Sequence, residues 1–306
     1  MQELSAAVYE LIERFVPKED ILKAEPMCKH TTFRIGGEAS CFIRISSEEQ
    51  LIGLIPYLEQ VGIDYFVLGN GSNLLVSDHG YEGVILHIGD KFSGIMVEED
   101  HMKVQSGALL SRAAGCAYEH GLTGFEFASG IPGTVGGGVV MNAGAYDGEM
   151  KQIVESVRVL SNDGEILTLD NETMEFGYRT SIIKNRHFTV LEVTFKLKKG
   201  NREDIRKKMD ELNAKRREKQ PLEFPSAGST FKRPEGYFAG KLIMDTGLRG
   251  FSVGGARVSE KHCGFVVNTG KATATDVADV IAEVQEKVKN KFGVSLEREI
   301  IYLGDF

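Results

Sequence analysis

The chain has 306 residues, with 36 Lys and Arg against 44 Asp and Glu, for a formal net charge of -8; its length allows two or three domains around sizeable cores. The acidic balance argues against a general nucleic-acid binder, so no nucleic-acid partner is expected and any anionic ligand has to be met by a local cluster of bases. No apolar run approaches the length of a membrane span and the N-terminus lacks a basic-then-apolar signal, so a cytoplasmic protein without a membrane partner is expected.

Leu4, Ala7, Val8, Leu11, Ile12 and Phe15 recur at helical spacing and predict an amphipathic first helix ending before Pro17. His30-Thr31-Thr32-Phe33-Arg34-Ile35-Gly36-Gly37 leads into a strand over 41–45; an Arg beside paired glycines suits a phosphate contact or a plain turn. Ser47 stands three residues before Gln50, the spacing of a capping box, and opens a helix with Leu51, Ile52, Leu54, Ile55 and Leu58 that stops near Gly62. Cys28, Cys41, Cys116 and Cys263 are scattered, without C-x-x-C spacing or a neighbouring His, and read as reduced thiols with no metal site.

A strand over 65–68 runs into Gly69-Asn70-Gly71-Ser72-Asn73-Leu74-Leu75-Val76. This opens like a dinucleotide fingerprint, but Leu74 stands where the third glycine belongs and strand formers follow, so it is not a Rossmann turn. Its glycines, hydroxyl and two Asn side chains can still hold phosphate oxygens, although a hairpin turn suits the same residues. Strands follow over 84–88, 95–97 and 102–104, with a hairpin tip at Glu99-Asp100, then a helix over 109–120 ending at Gly121. Residues 130–146 crowd six glycines into a stretch with almost no charge. Either its main-chain N–H groups form an anion-binding nest, or it is a glycine-lined packing corner.

Asn162-Asp163-Gly164 is a hairpin signal between strands over 154–160 and 165–169, and a strand over 189–197 follows. Between them Tyr178-Arg179 lies in a short connector, where the Arg suits a bidentate grip on a carboxylate or an ordinary surface position. Residues 202–219 form a charged helix with a narrow apolar stripe of Ile205, Met209 and Leu212 and a basic last turn. The loop 220–234 carries three prolines, and Gly228 allows a turn that presents the Ser229 hydroxyl, with Lys232 and Arg233 placed to meet a phosphate. A short helix over 237–245 contains Lys241; 251–258 reads as a bent strand with Gly254-Gly255, and 265–268 as another. Thr273 with Asp276 starts an amphipathic helix through Val277, Val280, Ile281, Val284 and Val288 to Gly293. The last strand, 294–303, carries Glu297 and Glu299, and alternation puts both on one face, so spacing does not choose between them.

Together, the 69–73 and 130–146 segments, Tyr178-Arg179, Gly228-Ser229-Thr230-Phe231-Lys232 and Leu296-Glu297-Arg298-Glu299 resemble the UDP-N-acetylenolpyruvoylglucosamine reductases, flavoenzymes that make UDP-N-acetylmuramate for peptidoglycan. The resemblance covers nearly the whole chain in the family's order and spacing. It implies an α+β protein: an FAD-binding fold of the vanillyl-alcohol-oxidase (PCMH) type in two subdomains, 1–88 and 89–200 with 293–306, plus an α+β substrate-binding domain over 201–292. It also implies FAD held by Asn70, Gly71, Ser72, Asn73 and Leu74 and by Ile131, Gly133, Thr134, Gly136, Gly137, Asn142, Gly144 and Ala145. No long insertion follows Tyr178-Arg179, which matches the family's shorter subtype and leaves open which residues close over the UDP group.

By the same resemblance NADPH reduces FAD, and the reduced flavin N5 passes hydride to C3 of UDP-N-acetylglucosamine enolpyruvate. Arg179 and Glu299 then stabilise the enol-like charge, and Ser229 protonates C2. The family motif favours the second Glu of Leu-Glu-x-Glu, hence Glu299. Tyr178, Lys232, Arg233 and Lys241 are the substrate-binding candidates, and a monomer is expected. A competing reading is an oxidase of the same fold; many such enzymes tether the flavin through a His or Cys, and neither glycine-rich segment contains one. A nucleotide-binding regulatory module would leave Arg179, Ser229 and Glu299 without a shared purpose.

Overall fold

A computed structural model describes residues 4–306. The first layer opens with α1 (Ala6–Ile12), shorter than its apolar spacing predicts. Ile12 is fully buried, while Phe15 follows on turns and lies over Gly53, where an added Cβ would strike its ring. Next come β1 (Ile21–Pro26), β2 (Glu38–Ile45), α2 (Glu48–Val61), β3 (Tyr65–Leu68), β4 (Leu74–Val76) and β5 (Tyr81–Ile88). The sheet order is β1-β2-β5-β3, with β1 antiparallel to β2 and both β2 and β3 parallel to β5. α2 packs Leu51, Leu54, Ile55 and Leu58 with Ile12, Ile43, Ile45 and Leu86. Its start departs from the expected capping box: Ser47 is the N-cap but makes no side-chain cap bond, and Gln50 Oε1 accepts the Ser46 main-chain N–H at 2.8 Å.

The second layer holds β6 (Ile95–Glu98), β7 (His101–Gln105), α3 (Leu110–Glu119), β8 (Leu122–Thr123), α4 (Val135–Val140), β9 (Gly144–Ala145), β10 (Gly148–Glu149), β11 (Val154–Leu160), β12 (Ile166–Asp170), α5 (Ile182–Arg186), β13 (Thr189–Lys196) and β14 (Lys198–Lys199). Its antiparallel sheet runs β12-β11-β13-β7-β6. The hairpin at Asn162-Asp163-Gly164 closes on the Leu160–Ile166 pair. α6 (Arg202–Lys219) buries Ile205, Met209 and Leu212 in the core of this layer, with Ala117, Phe125 and Phe195. The helix expected to open the substrate domain therefore belongs by packing to the second layer.

The third unit contains α7 (Ala239–Asp245), β15 (Ser252–Val253), β16 (Ala256–Val258), β17 (Val266–Asn268) and α8 (Ala274–Phe292), with the sheet order β15-β16-β17. The bent strand expected over 251–258 is instead a hairpin. Gly254-Gly255 is its two-residue turn, Gly254 has φ +50, and the Gly255 N–H donates to Asp276 Oδ2 at 2.9 Å. The capping box of Thr273 and Asp276 is present, and α8 buries Val277, Val280, Ile281, Val284 and Val288.

The expected final strand shrinks to β18 (Ile301–Leu303), and 294–300 run irregularly before it. β18 pairs in parallel with β4, not with the sheet of the second layer. Since β3 and β4 lie in different sheets, the turn between them is no hairpin.

Candidate active site

Where the three units meet lies a cavity of about 910 Å³, at the upper end of the ~300–1,000 Å³ typical of ligand sites. Asn70, Gly71, Ser72, Asn73, Leu74, Ile131, Gly133, Thr134, Gly136, Gly137, Gly144 and Ala145 line it, and so do Arg179, Ser229 and Glu299.

The two glycine-rich segments are locked together. Asn70 Nδ2 donates to Pro132 O at 2.7 Å, and Thr134 caps α4 by accepting the Gly137 N–H on its Oγ1. Gly136 is required by packing, since a Cβ there would stand 2.8 Å from Ser106 Cβ. Gly71, at φ +58, lies against the 30–32 loop, and Thr32 in turn donates its N–H to Gly71 O at 3.2 Å. The stretch 130–146 is thus a packing corner. Its open side still presents main-chain donors: among the described residues, the N–H groups of Gly133 and Thr134 and those of Asn70 to Asn73 bond to no protein acceptor. Such a concave row of N–H groups suits phosphate oxygens.

Three wall residues escaped the sequence reading. Ser106 Oγ and Gln220 Oε1 are buried without a hydrogen-bond partner, and the Arg216 guanidinium makes no hydrogen bond or ion pair among the described residues. Burial also pulls the Arg216 pKa below its ordinary value, against the opposite influence of Tyr146. Gln220 follows directly on α6 and donates its N–H to Arg216 O at 2.9 Å, which keeps the two together at the end of the helix; the basic last turn was the available signal, masked by the surrounding charge. Nothing local marks Ser106. Unpartnered buried polar atoms are rare in native proteins, and here they fit a ligand with both phosphates and a hydrogen-bonding ring, as FAD has.

Opposite the glycines, Arg179 Nε donates to Glu299 Oε1 at 2.6 Å, with the two side chains 24% and 11% exposed. Burial pushes the Glu299 carboxyl above the ordinary glutamate value, against the pull of Arg179 and of Lys232. Glu297 points away: its side chain is 73% exposed and pairs with Lys232 at 3.0 Å. The alternation expected to place both glutamates on one face fails because 294–300 are not a strand. Ser229 sits on a loop held from both sides. The fully buried Thr230 donates its N–H to Gly264 O at 2.8 Å, and its carbonyl accepts the Glu299 N–H at 2.9 Å. The placement of the serine and that of the glutamate are therefore coupled through one residue.

The substrate candidates lie off the cavity wall. Tyr178 is 57% exposed, and its hydroxyl accepts the Arg233 N–H at 3.1 Å. The Arg233 guanidinium stacks 4.0 Å over Phe238. Lys241 reaches Asp245 on its own helix at 2.7 Å and does not turn toward the site. Asn142 also departs from expectation: it is 3% exposed, and its amide bonds within the protein.

Two family models match the chain: an FAD binding domain over residues 39–170, and the C-terminal domain of UDP-N-acetylenolpyruvoylglucosamine reductase over 220–303. The chain is 54% identical over 281 residues to the UDP-N-acetylenolpyruvoylglucosamine reductase of Caldanaerobacter subterraneus subsp. tengcongensis, covering 92% of this chain and 93% of that one. With the Clostridioides difficile protein of the same name, identity is 50% over 298 residues, covering 97% and 98%. The crystal structure of the Thermus caldophilus reductase superposes with a TM-score of 0.79 at 34% identity, covering 93% of this chain and 98% of that one. With half its residues shared along almost its full length and both domains matched, the chain belongs to the UDP-N-acetylenolpyruvoylglucosamine reductase family.

Proposed function

We propose that this FAD-dependent reductase, which serves peptidoglycan precursor synthesis, runs both halves of its reaction in the one cavity, with Arg179, Glu299 and Ser229 acting on the enolpyruvyl end of the substrate. The observation that carries the reading is the half-buried Arg179–Glu299 pair facing the same space as Ser229 and both glycine-rich segments. FAD, held against the two glycine-rich segments, would supply the hydride chemistry between NADPH and UDP-N-acetylglucosamine enolpyruvate. The main-chain N–H groups of 70–73 and 133–134 hold its phosphates, and Arg216 faces an anionic group of a bound ligand.

As hydride reaches C3, negative charge gathers at C2 and the adjoining carboxylate. Arg179, already fixed by Glu299, meets that charge without reorganising, which is how a preorganised cation lowers a barrier. The Ser229 hydroxyl donates the proton to C2; a hydroxyl is a weak acid, so the step relies on the neighbouring positive charge and on shielding from water. Glu299, with its proton affinity raised by burial, is suited to return a proton to the serine. Tyr178 and Arg233 at the rim are assigned to the nucleotide end, with Lys232 beside them, while Lys241 has no part. We divide the chain into 1–88, 89–219 and 220–303, which puts α6 with the second flavin subdomain as its packing favours. We further assign the activity to a monomer in the cytoplasm. No helix among the described residues is long and apolar enough to cross a membrane.

An anaerobic visible spectrum tests the reading. The flavin bands are expected to bleach with NADPH and return on adding UDP-N-acetylglucosamine enolpyruvate. Recovery only in air would favour an oxidase, and a protein that takes up no flavin would overturn the proposal.

A further inference from the structure

Asn142 is a buried amide that the chemistry above does not use. Its φ of +42 is left-handed, a conformation that asparagine tolerates better than most residues. Its Nδ2 donates to Gly177 O and to Glu149 Oε2, both at 3.1 Å, and its Oδ1 accepts the Lys151 N–H at 2.9 Å. Gly177 is one end of a minimal hairpin. Gly177 and Thr180 exchange main-chain hydrogen bonds of 3.1 and 3.4 Å, leaving Tyr178 and Arg179 as its two-residue tip, with Arg179 at φ +56. The longer of the two bonds ends on Gly177 O, the atom that Asn142 also holds. At the other end the fully buried Ser181 donates its hydroxyl to Val140 O at 3.0 Å. Both legs of the hairpin are therefore fastened to the end of α4, while the tip itself has little packing, as the exposure of Tyr178 shows.

We propose that Asn142 is a positioning residue for Arg179, not a cofactor ligand: its amide fixes Gly177 so that Arg179 Nε meets Glu299 Oε1 at 2.6 Å. The proposal rests on the role assigned to Arg179 above. It makes the glycine-rich segment that walls the cofactor also the base from which the arginine is presented. An amide is needed, because a carboxylate in its place would lose the donor and face Glu149.

The test uses FAD-loaded Asn142→Ala and Asn142→Asp in rapid-mixing experiments on each half-reaction, together with flavin titration of the apoproteins. Flavin affinity and reduction by NADPH are expected within about twofold of the parent, with oxidation by enolpyruvyl substrate slowed roughly 10- to 100-fold, as for a misplaced catalytic group. The basic limb of the oxidative half-reaction is expected to move to higher pH, because Glu299 acts in its protonated form and loses the pull of Arg179. In an Arg179→Ala background, Asn142→Ala is expected to add less than about twofold, because both changes act through one group. Weakened flavin binding with normal oxidation, or full additivity with Arg179→Ala, would overturn the proposal. Should Asn142→Ala not melt cooperatively, Ser181→Ala removes the other fastening and is put through the same cycle, where additivity again overturns it. Wild-type enzyme runs alongside. If its reduced flavin is not reoxidised by the substrate, the functional reading itself falls; if it turns over while the variants are additive, only the positioning role does.

Discussion

At the scale of single residues, Glu299 places catalysis and stability in opposition. Its carboxyl is pushed up chiefly by burial, so the folded protein holds that proton more tightly than the unfolded chain does. The stability it contributes is full below the ordinary carboxylate range and is lost as pH rises through the raised value. Glu299→Gln keeps an acceptor for Arg179 without the charge, and is expected to be more stable than the parent by ~0.5–2 kcal/mol at pH 7, with the difference vanishing in acid. Denaturant melts at several pH values check this; a loss of stability at pH 7 would mean that the Arg179 attraction outweighs the burial. Ser229→Ala is expected to leave flavin reduction by NADPH within twofold while slowing the oxidative half-reaction by ~10²–10⁴; loss of the first half-reaction instead would contradict the assignment. From the sequence, Ser229 stood out through the glycine before it, and Arg179 through the Tyr beside it. The choice of Glu299 came from the family motif, because two residues apart on a supposed strand are equivalent and only the irregular path of 294–300 separates them.

At the scale of elements, periodicity served well where side chains set the structure. α6 spans the residues its sequence predicts, and α8 begins at its predicted cap and ends at Gly293. It failed where contacts from elsewhere decide. α4 contains three successive glycines, poor helix formers; its helix exists because Thr134 caps it and Ser106 presses against Gly136. The 69–73 turn likewise owes its form to the distant 30–32 loop. Gly71→Ala would place a Cβ 2.0 Å from His30 O at φ +58, a clash and a backbone strain together. The expected cost is ~2–3 kcal/mol or more, with a parallel loss of flavin affinity. Thermal melts and flavin titration read both, and unchanged values would show that the 30–32 loop moves aside freely.

At the scale of the whole molecule, the substrate unit shares an apolar core with Phe33, Ile35 and Leu75 of the flavin region and is further fastened to it by specific hydrogen bonds. Asp78 accepts the Ala274 N–H at 2.7 Å and both the N–H and hydroxyl of Thr275 at 2.9 Å, so a residue just after β4 supplies a second cap to α8. Asn268 Nδ2 donates to Phe33 O at 3.0 Å, and Thr32 Oγ1 to Ser226 O at 2.7 Å. Asp78→Ala is expected to lower stability by ~1–2 kcal/mol in urea; a change within ~0.5 kcal/mol would mean that the helix's own capping box suffices. No sequence pattern announced these long-range bonds, since they join residues 194 to 235 positions apart.

The pairing of β18 with β4 carries a consequence for the order in which the protein matures. The Ile301 N–H bonds to Asn73 O at 2.9 Å, and Asn73 Nδ2 to Glu299 O at 3.2 Å, so the turn that lines the cavity leans on residues the ribosome adds some 226 positions later. The first two layers can fold while synthesis continues, yet the pocket gains its last wall only afterwards. On the cofactor site proposed above, a chain cut short before that strand is expected to take up flavin more weakly than the intact protein, which a flavin titration of the two would show.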